Sequence, residues 1–305
     1  MHERLLADAW HVPRIPLGDW FARIVDWLNN NVGPLFDAVQ TIITGAVDGL
    51  TTALQWPPAW AMALVFALLA WWLRSWKFGA VTLVGFALAD GLGVFDEAML
   101  TLAQVLVSGV IATLIAVPLG IFAARSTAAS RVIRPVLDFM QTLPAFVYLI
   151  PAIFFFSIGA VPGVVATVIF SLPPGVRLTE LGIRQVDKEM VEAGESFGAP
   201  PRKILTGVQI PLAMPSIMAG VNQIIMLSLS MVVIAGMTGG PGLGAKVFEA
   251  VQRLQLGAGF EYGVGVVILA IYLDRITSSF TGQRTRRLPS SSRVTPAPTA
   301  FITGD

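Results

Sequence analysis

Long apolar runs without a single charge recur along this sequence. They cover residues 56–73, 98–124, 139–176 and 204–245. A helix that spans a bilayer needs about 20 mostly apolar residues, and the run 139–176 is long enough for two such helices. Two weaker segments lie near 78–95 and 262–276. The pattern predicts an all-α integral membrane protein with about seven transmembrane helices, at 57–73, 78–95, 99–123, 138–158, 161–176, 216–237 and 262–276.

The first 55 residues follow a different pattern. Apolar residues recur at helical spacing from Leu17 to Leu50, and charged and amide side chains occupy the opposite side. Because several polar residues per helix are costly at the bilayer centre, we expect two amphipathic helices, separated at Gly33-Pro34, that lie along the outer membrane surface. An eighth span over 34–54 is the alternative.

These patterns divide the chain into four regions. They are an N-terminal tail (1–55), two peripheral transmembrane helices (56–95), a core (96–280) and a Ser/Pro/Thr-rich tail (281–305) that we expect to be disordered. Fifteen of the 20 Lys and Arg residues fall on one side of the predicted helices. Because basic connections mark the cytoplasm, the sequence predicts an N-terminus outside and a C-terminus, with its tail, inside.

Composition excludes several classes of protein. Charged residues make up 13% of the chain and apolar residues 55%, which is too little polarity for the surface of a soluble protein. The net charge of +1 offers no basic footprint for nucleic acid. The chain has no cysteine, and its two histidines lie in the N-terminal tail, so we expect neither a metal site nor a catalytic site in the core. Gly239–Lys246 lacks the spacing of a phosphate-binding loop.

A spaced motif stands in the longest predicted cytoplasmic loop, about 177–215. Glu192-Ala193-Gly194 is followed after three residues by Gly198, and after nine more by Val208-Gln209-Ile210-Pro211. This resembles the EAA loop of ATP-binding-cassette (ABC) importer permeases, whose pattern is E-A-A, three residues, G, nine residues and I-x-L-P. Gly194 departs from the third position of that pattern, while the spacing is kept throughout.

The local chemistry suits a compact knob. A short helix is predicted over Lys188–Phe197, which Gly198 can end in a left-handed conformation and which Pro200-Pro201 cannot continue. The resemblance implies that this knob couples the chain to an ATPase, through Glu192, Ala193, Gly194, Ser196, Phe197, Gly198, Arg202 and Pro211.

Residues 95–280 carry a closer resemblance. Segments 140–151, 171–174, 209–215, 218–223, 229–235 and 268–275 look like glycine betaine/proline betaine permeases of the ProU type. This implies a type I ABC importer permease with the MetI-like fold, in the bacterial inner membrane. It also implies a homodimer in contact with membrane lipids, a separate ATPase that binds ATP and Mg, and an external binding protein that delivers a quaternary-ammonium osmoprotectant. The chain itself would then be neither an enzyme nor the carrier of a cofactor.

Polar and proline residues within the predicted helices are candidates for a translocation path: Pro144, Tyr148, Pro151, Asn222 and Gln223. Proline is also common in membrane helices, and the two amides can instead bond neighbouring helices, which is the role we favour for them.

Other substrates and mechanisms remain as alternatives. Choline, carnitine or another small solute would fit the same resemblance. An ion-coupled secondary transporter would need intramembrane ionisable groups, and the predicted spans offer only Asp90, Asp138 and Asp274.

Overall fold

The computed structural model describes residues 16–281, which form eleven helices and no strand. His2, His11 and all but the first residue of the predicted C-terminal tail lie outside the described residues. The helices are, in chain order, α1 (Leu17–Gln55), α2 (Ala59–Leu73), α3 (Trp76–Gly91), α4 (Phe95–Arg125), α5 (Thr127–Thr142), α6 (Ala145–Phe156), α7 (Ala160–Arg184), α8 (Lys188–Ser196), α9 (Pro201–Thr238), α10 (Leu243–Gln252) and α11 (Leu256–Ser278).

Helices α4, α7 and α9 form the centre of the molecule and touch through small residues. A side chain added at Gly175 in α7 would stand 2.9 Å from Cβ of Ala116 in α4 and would also collide with Ile224 in α9. One added at Gly182 would stand 2.6 Å from Cβ of Ser216. Helices in membranes associate closely where such small residues let backbones approach, so these glycines position the three core helices.

The paired helices α2 and α3 pack against this centre from one side. The ring of Phe66 in α2 lies 4.7 Å from Phe86 in α3 and 5.3 Å from Tyr272 in α11. The tryptophans at both ends of α2 are exposed, Trp56 and Trp72 by more than 80%. This distribution agrees with a peripheral hairpin whose indoles lie at the two membrane interfaces.

Four of the helices between residues 16 and 281 are long and apolar enough to cross a membrane, namely α4, α7, α9 and α11. The number rises to six if each of two bent pairs, α1 with α2 and α5 with α6, is one span. Helix α3, with 16 residues, extends about 24 Å. The count of seven spans and the outward orientation of the N-terminus therefore stay predictions.

The predicted break at Gly33-Pro34 is wrong, because α1 runs unbroken through Pro34 to Gln55. Proline removes one helical hydrogen bond, and here the freed carbonyl belongs to Asn30, an exposed residue that solvent can satisfy. Beyond the proline, α1 is held to the core, since Phe36 stacks on Phe155 at a centroid distance of 4.5 Å. A bend of 100° then separates α1 from α2.

The single helix predicted over 138–158 is also wrong. The chain bends by 98° between α5 and α6, with Leu143 extended and Pro144 capping α6. Proline disfavours a helical conformation in the residue before it, which explains the position of the bend. Helix α5 is amphipathic, whereas α6 is apolar throughout.

The segment predicted as a loop over 177–215 is mostly helical. Helix α7 continues to Arg184, and α9 begins at Pro201, so that only 185–187 and 197–200 connect them to α8. Near its start α9 passes through a π-helical turn, Leu205–Gln209, which ends two residues before Pro211. Such a turn accommodates a local change in hydrogen bonding without ending the helix.

Candidate functional site

The predicted knob is present as α8. Its nine residues, Lys188–Ser196, have no buried member. Gly198 has a φ of +72°, and two reverse hydrogen bonds close the end of the helix, from the amide of Gly198 to the carbonyl of Glu195 and from Ala199 to Gly194. This is the Schellman pattern, which satisfies carbonyls left free at a helix end. The predictions of a short helix and of a left-handed Gly198 are confirmed.

The knob is seated on the first turns of α9. A Cβ added at Gly194 would stand 3.3 Å from Ile204, which is 4% exposed. The E-A-A pattern has alanine at this position, and the glycine that replaces it here lies where α8 and α9 leave little space for a side chain. The contact joins α8 to the beginning of α9, a helix of 38 residues.

The outer face of α8 has no partner within residues 16–281. Phe197 is 92% exposed, and Ser196 and Arg202 are exposed as well. A groove of about 470 Å³ runs between the knob and the core, lined on one side by Glu192 and Glu195 and on the other by Arg125 and Arg184. An exposed phenylalanine with polar neighbours in the chain is typical of a docking surface, where an aromatic anchor is surrounded by a polar rim.

The structure brings most of the predicted coupling residues together. Those from Glu192 to Arg202 lie on α8, its closing turn and the first turn of α9. Pro211 lies further along α9, about 13 Å from Arg202 at 1.5 Å per residue, and its side chain is exposed.

The five candidates for a translocation path fall into two places. Tyr148, on α6 between Pro144 and Pro151, is 8% exposed, donates its hydroxyl to the carbonyl of Met140, and packs near Met231 and Ala235 of α9. Asn222 and Gln223 lie about 13 Å from Met231 along α9. In this conformation the five residues do not share one cavity.

The two amides differ in their surroundings. Asn222 accepts a hydrogen bond from the hydroxyl of Thr277 in α11, which ties α9 to α11 as expected of a structural amide. Gln223 is exposed and lines a polar cavity of about 430 Å³ with Arg74, Asp274 and Arg275. Asn222 lines the same cavity, although its amide oxygen is already bonded to Thr277.

One cluster was missed from the sequence. Glu180 in α7 is 2% exposed, and its Oε1 accepts hydrogen bonds from Ser130 at 2.7 Å and Arg134 at 2.9 Å, with Arg184 Nε at 2.8 Å. Glu180 falls within the predicted cytoplasmic loop over 177–215, which is in fact helical at this position. The only local signal was its spacing of four residues from Arg184. In the part of the chain that the structure describes, no group of three or more metal-ligating side chains converges.

Comparison with protein families places the core among transport proteins. The family described as "Binding-protein-dependent transport system inner membrane component" matches residues 116–284. The search of solved structures finds the MetNI methionine ABC transporter in inward-facing conformations, with a TM-score of 0.56 at 20% identity, covering 59% of this chain and 91% of that one. At this identity the likeness concerns the fold, and it confirms the predicted MetI-like architecture.

Curated relatives match over nearly their whole length. The glycine betaine transport system permease protein OpuAB of Bacillus subtilis is 49% identical over 276 residues, which are 90% of this chain and 98% of the relative. The glycine betaine/proline betaine permease ProW of Escherichia coli is 46% identical over 98% of this chain and 84% of its own. The glycine betaine/carnitine permease GbuB of Listeria monocytogenes is 47% identical over 88% and 97%.

Proposed function

The chain belongs to the family of binding-protein-dependent transport system inner membrane components, and from this premise we propose that it imports glycine betaine and closely related osmoprotectants. It is a multi-pass permease subunit of an ABC importer in the bacterial inner membrane, and it is not itself an enzyme. The family works with a separate ATPase and a substrate-binding protein. The substrate is proposed from the permeases named for glycine betaine, which are 45–49% identical to this chain.

We propose that two copies of the chain stand side by side in the bilayer above two ATPase subunits, which bind ATP and Mg. The binding of ATP draws the ATPases together, and α8 moves with them. Because α8 is joined at both ends to core helices, α7 and α9, its displacement tilts them and alternates the access of the path between the two sides. ATP drives this change only as far as it binds the two conformations with different free energy.

The observation that carries this mechanism is the exposed knob on a rigid base. Phe197 is 92% exposed, and full burial of such a ring contributes about 1.5–3 kcal/mol to an interface. Gly198 and the contact between Gly194 and Ile204 hold the knob in one orientation. Phe197 is therefore the proposed anchor in the ATPase, with Ser196 and Arg202 in the polar rim and Glu192 at the groove between the knob and the core.

Reconstitution tests the transport function. The permease, its ATPase and its binding protein, placed in proteoliposomes, are expected to accumulate radiolabelled glycine betaine only with ATP inside and binding protein outside. Unlabelled proline betaine, carnitine and choline, added as competitors, rank the alternative substrates. Uptake that is independent of ATP and driven by an ion gradient would contradict the proposal.

A pair of substitutions tests the docking of the knob. Phe197→Ala removes the anchor, and we expect the amount of copurified ATPase to fall about tenfold or more, the effect of losing about 1.4 kcal/mol. Leu254→Ala is the matched control, because Leu254 is 84% exposed but lies between α10 and α11, at the opposite end of α9. Equal recovery of ATPase with both variants would contradict the assignment of the docking surface.

A further inference from the structure

The distribution of Lys and Arg predicts that the C-terminal end of α7 faces the cytoplasm. This end contains a buried carboxylate that has no role in the transport mechanism described above. Glu180 has a side chain exposed by only 3%, and both of the guanidinium groups beside it, on Arg134 and Arg184, are partly exposed. A buried charge is costly unless it is fully paired. Its partners come from α5 as well as from α7, so the carboxylate joins two helices.

The same cluster also reaches α4. Arg184 donates from Nη2 to the carbonyl of Ala123 at 2.8 Å while its Nε faces Glu180. A few residues away, a Cβ added at Gly120 in α4 would stand 2.5 Å from Cβ of Thr179. The ends of α4 and α7 are therefore held together by close backbone packing, and Glu180 adds α5 to that pair.

Apolar packing holds part of α5 to α7, because Ile133, Leu137 and Met140 of α5 belong to one cluster with Leu172 and Val176 of α7. Beside this cluster lies a cavity of about 350 Å³ lined by Arg134, Asp138, Arg177 and Glu180. Two ion pairs cross it, Arg134–Glu180 and Asp138–Arg177. In the second pair both side chains are at least 40% exposed, and exposed pairs contribute little. The buried pair is thus the main polar connection between the two helices.

We propose that Glu180 is a positioning residue of the transport cycle, which makes the cytoplasmic ends of α4, α5 and α7 move as one body with α8. Only residues 185–187 separate α7 from α8. A displacement of the knob reaches α5 through Glu180, and α5 leads through the bend at Pro144 into α6. Without this anchor α8 moves and α5 stays behind. The inference rests on the proposed function, since it assigns a task within the same cycle.

The flux experiment compares solute transported per ATP hydrolysed in the reconstituted complex. Arg134→Met removes the charged α5 partner at an exposed site and leaves Ser130 and Arg184 on Glu180. Glu180→Gln removes the charge but keeps the shape. For both we expect the ratio to fall about tenfold, which is a coupling loss of about 1.4 kcal/mol, with ATP hydrolysis retained. Asp138→Asn, which cuts the exposed pair between the same two helices, is expected to keep the ratio.

Equal losses of transport and ATP hydrolysis, or a loss with Asp138→Asn as large as with Arg134→Met, would overturn the proposal. A distance measurement tests it without any assumption about substrate. The chain has no cysteine, so spin labels can be placed at Val132→Cys in α5 and Met190→Cys in α8, both exposed. Labelled permease is diluted with unlabelled chains and assembled with the ATPase.

The distance between these labels is expected to stay unchanged when a non-hydrolysable ATP analogue is added, and to shift or broaden under the same treatment in Arg134→Met. A change in the label distance already in the parent protein, or no change in the variant, contradicts the proposed role of Glu180. If glycine betaine is not taken up at all, the proposed substrate fails, and the distance measurement still decides the role of Glu180.

Discussion

At the scale of single residues, the turn after α8 offers the cleanest test of backbone conformation. Gly198 has a φ of +72°, and no atom lies within 4 Å of a Cβ added to it. Gly198→Val is therefore penalised only by its backbone, by about 1–2 kcal/mol, whereas Gly198→Asn, a residue that tolerates this region, is expected to behave nearly as the parent protein.

Hydrogen exchange on the purified complex measures this difference. With Gly198→Val, the backbone amide hydrogens of residues 198 and 199 are expected to exchange with solvent about 5- to 30-fold faster, and glycine betaine uptake is expected to fall. With Gly198→Asn, the exchange rates and the uptake are expected to stay close to the parent values. Equal protection in the two variants would show that the left-handed turn does not hold the knob.

Gly198 and Glu180 differ in how well their roles can be predicted from the sequence. Gly198 was predictable because the turn that it closes is local, with Glu195 and Pro200 only a few positions away. Glu180 was not, because two of its partners, Ser130 and Arg134, lie 50 and 46 positions earlier in the chain. A buried carboxylate is recognised only when the helices that supply its donors have been packed.

At the scale of helices, the close approach of α4, α7 and α9 leads to a prediction about stability. Gly175→Ala places a Cβ 2.9 Å from Ala116 and against Ile224, and overpacking of this kind costs about 1–3 kcal/mol of stability.

Gly257→Ala is the control, because no atom lies within 4 Å of a Cβ added at that position of α11 and alanine favours a helix by about 1 kcal/mol over glycine. Thermal unfolding in detergent is expected to occur earlier for the first variant and no earlier for the second. A midpoint for Gly175→Ala equal to that of the parent would show that the three helices separate freely.

The helices also show why proline alone does not mark a boundary. Pro34 was expected to end a helix and does not, whereas Pro144 was placed inside a helix and separates two. The difference lies in the flanking sequence. An apolar face continues on the far side of Pro34 and packs on the core, while at Pro144 an amphipathic helix gives way to one that is apolar all round. That change of pattern was visible in the sequence, and it locates the bend.

At the scale of the whole molecule, apolar runs located the core helices, and the basic residues predict which ends face the cytoplasm. Runs of this kind report burial in lipid directly, so α4, α7 and α9 were predictable, whereas α11 corresponds to one of the two weaker segments. Packing decided the rest: the unbroken course of α1 past Pro34 and the length of α7 depend on contacts that are distant in sequence.

The orientation itself can be tested with single cysteines, since the chain has none. Phe197→Cys and Leu254→Cys introduce thiols at positions that are 92% and 84% exposed, at opposite ends of α9. Because 15 of the 20 basic residues fall on the side of α8, a membrane-impermeant maleimide is expected to label Leu254→Cys in intact spheroplasts. Phe197→Cys, in cells that lack the ATPase, is expected to react only after the membrane is opened.

The reverse labelling pattern would invert the predicted topology and place the knob where no ATPase can reach it. Labelling of both thiols from one side would mean that α9 does not cross the bilayer.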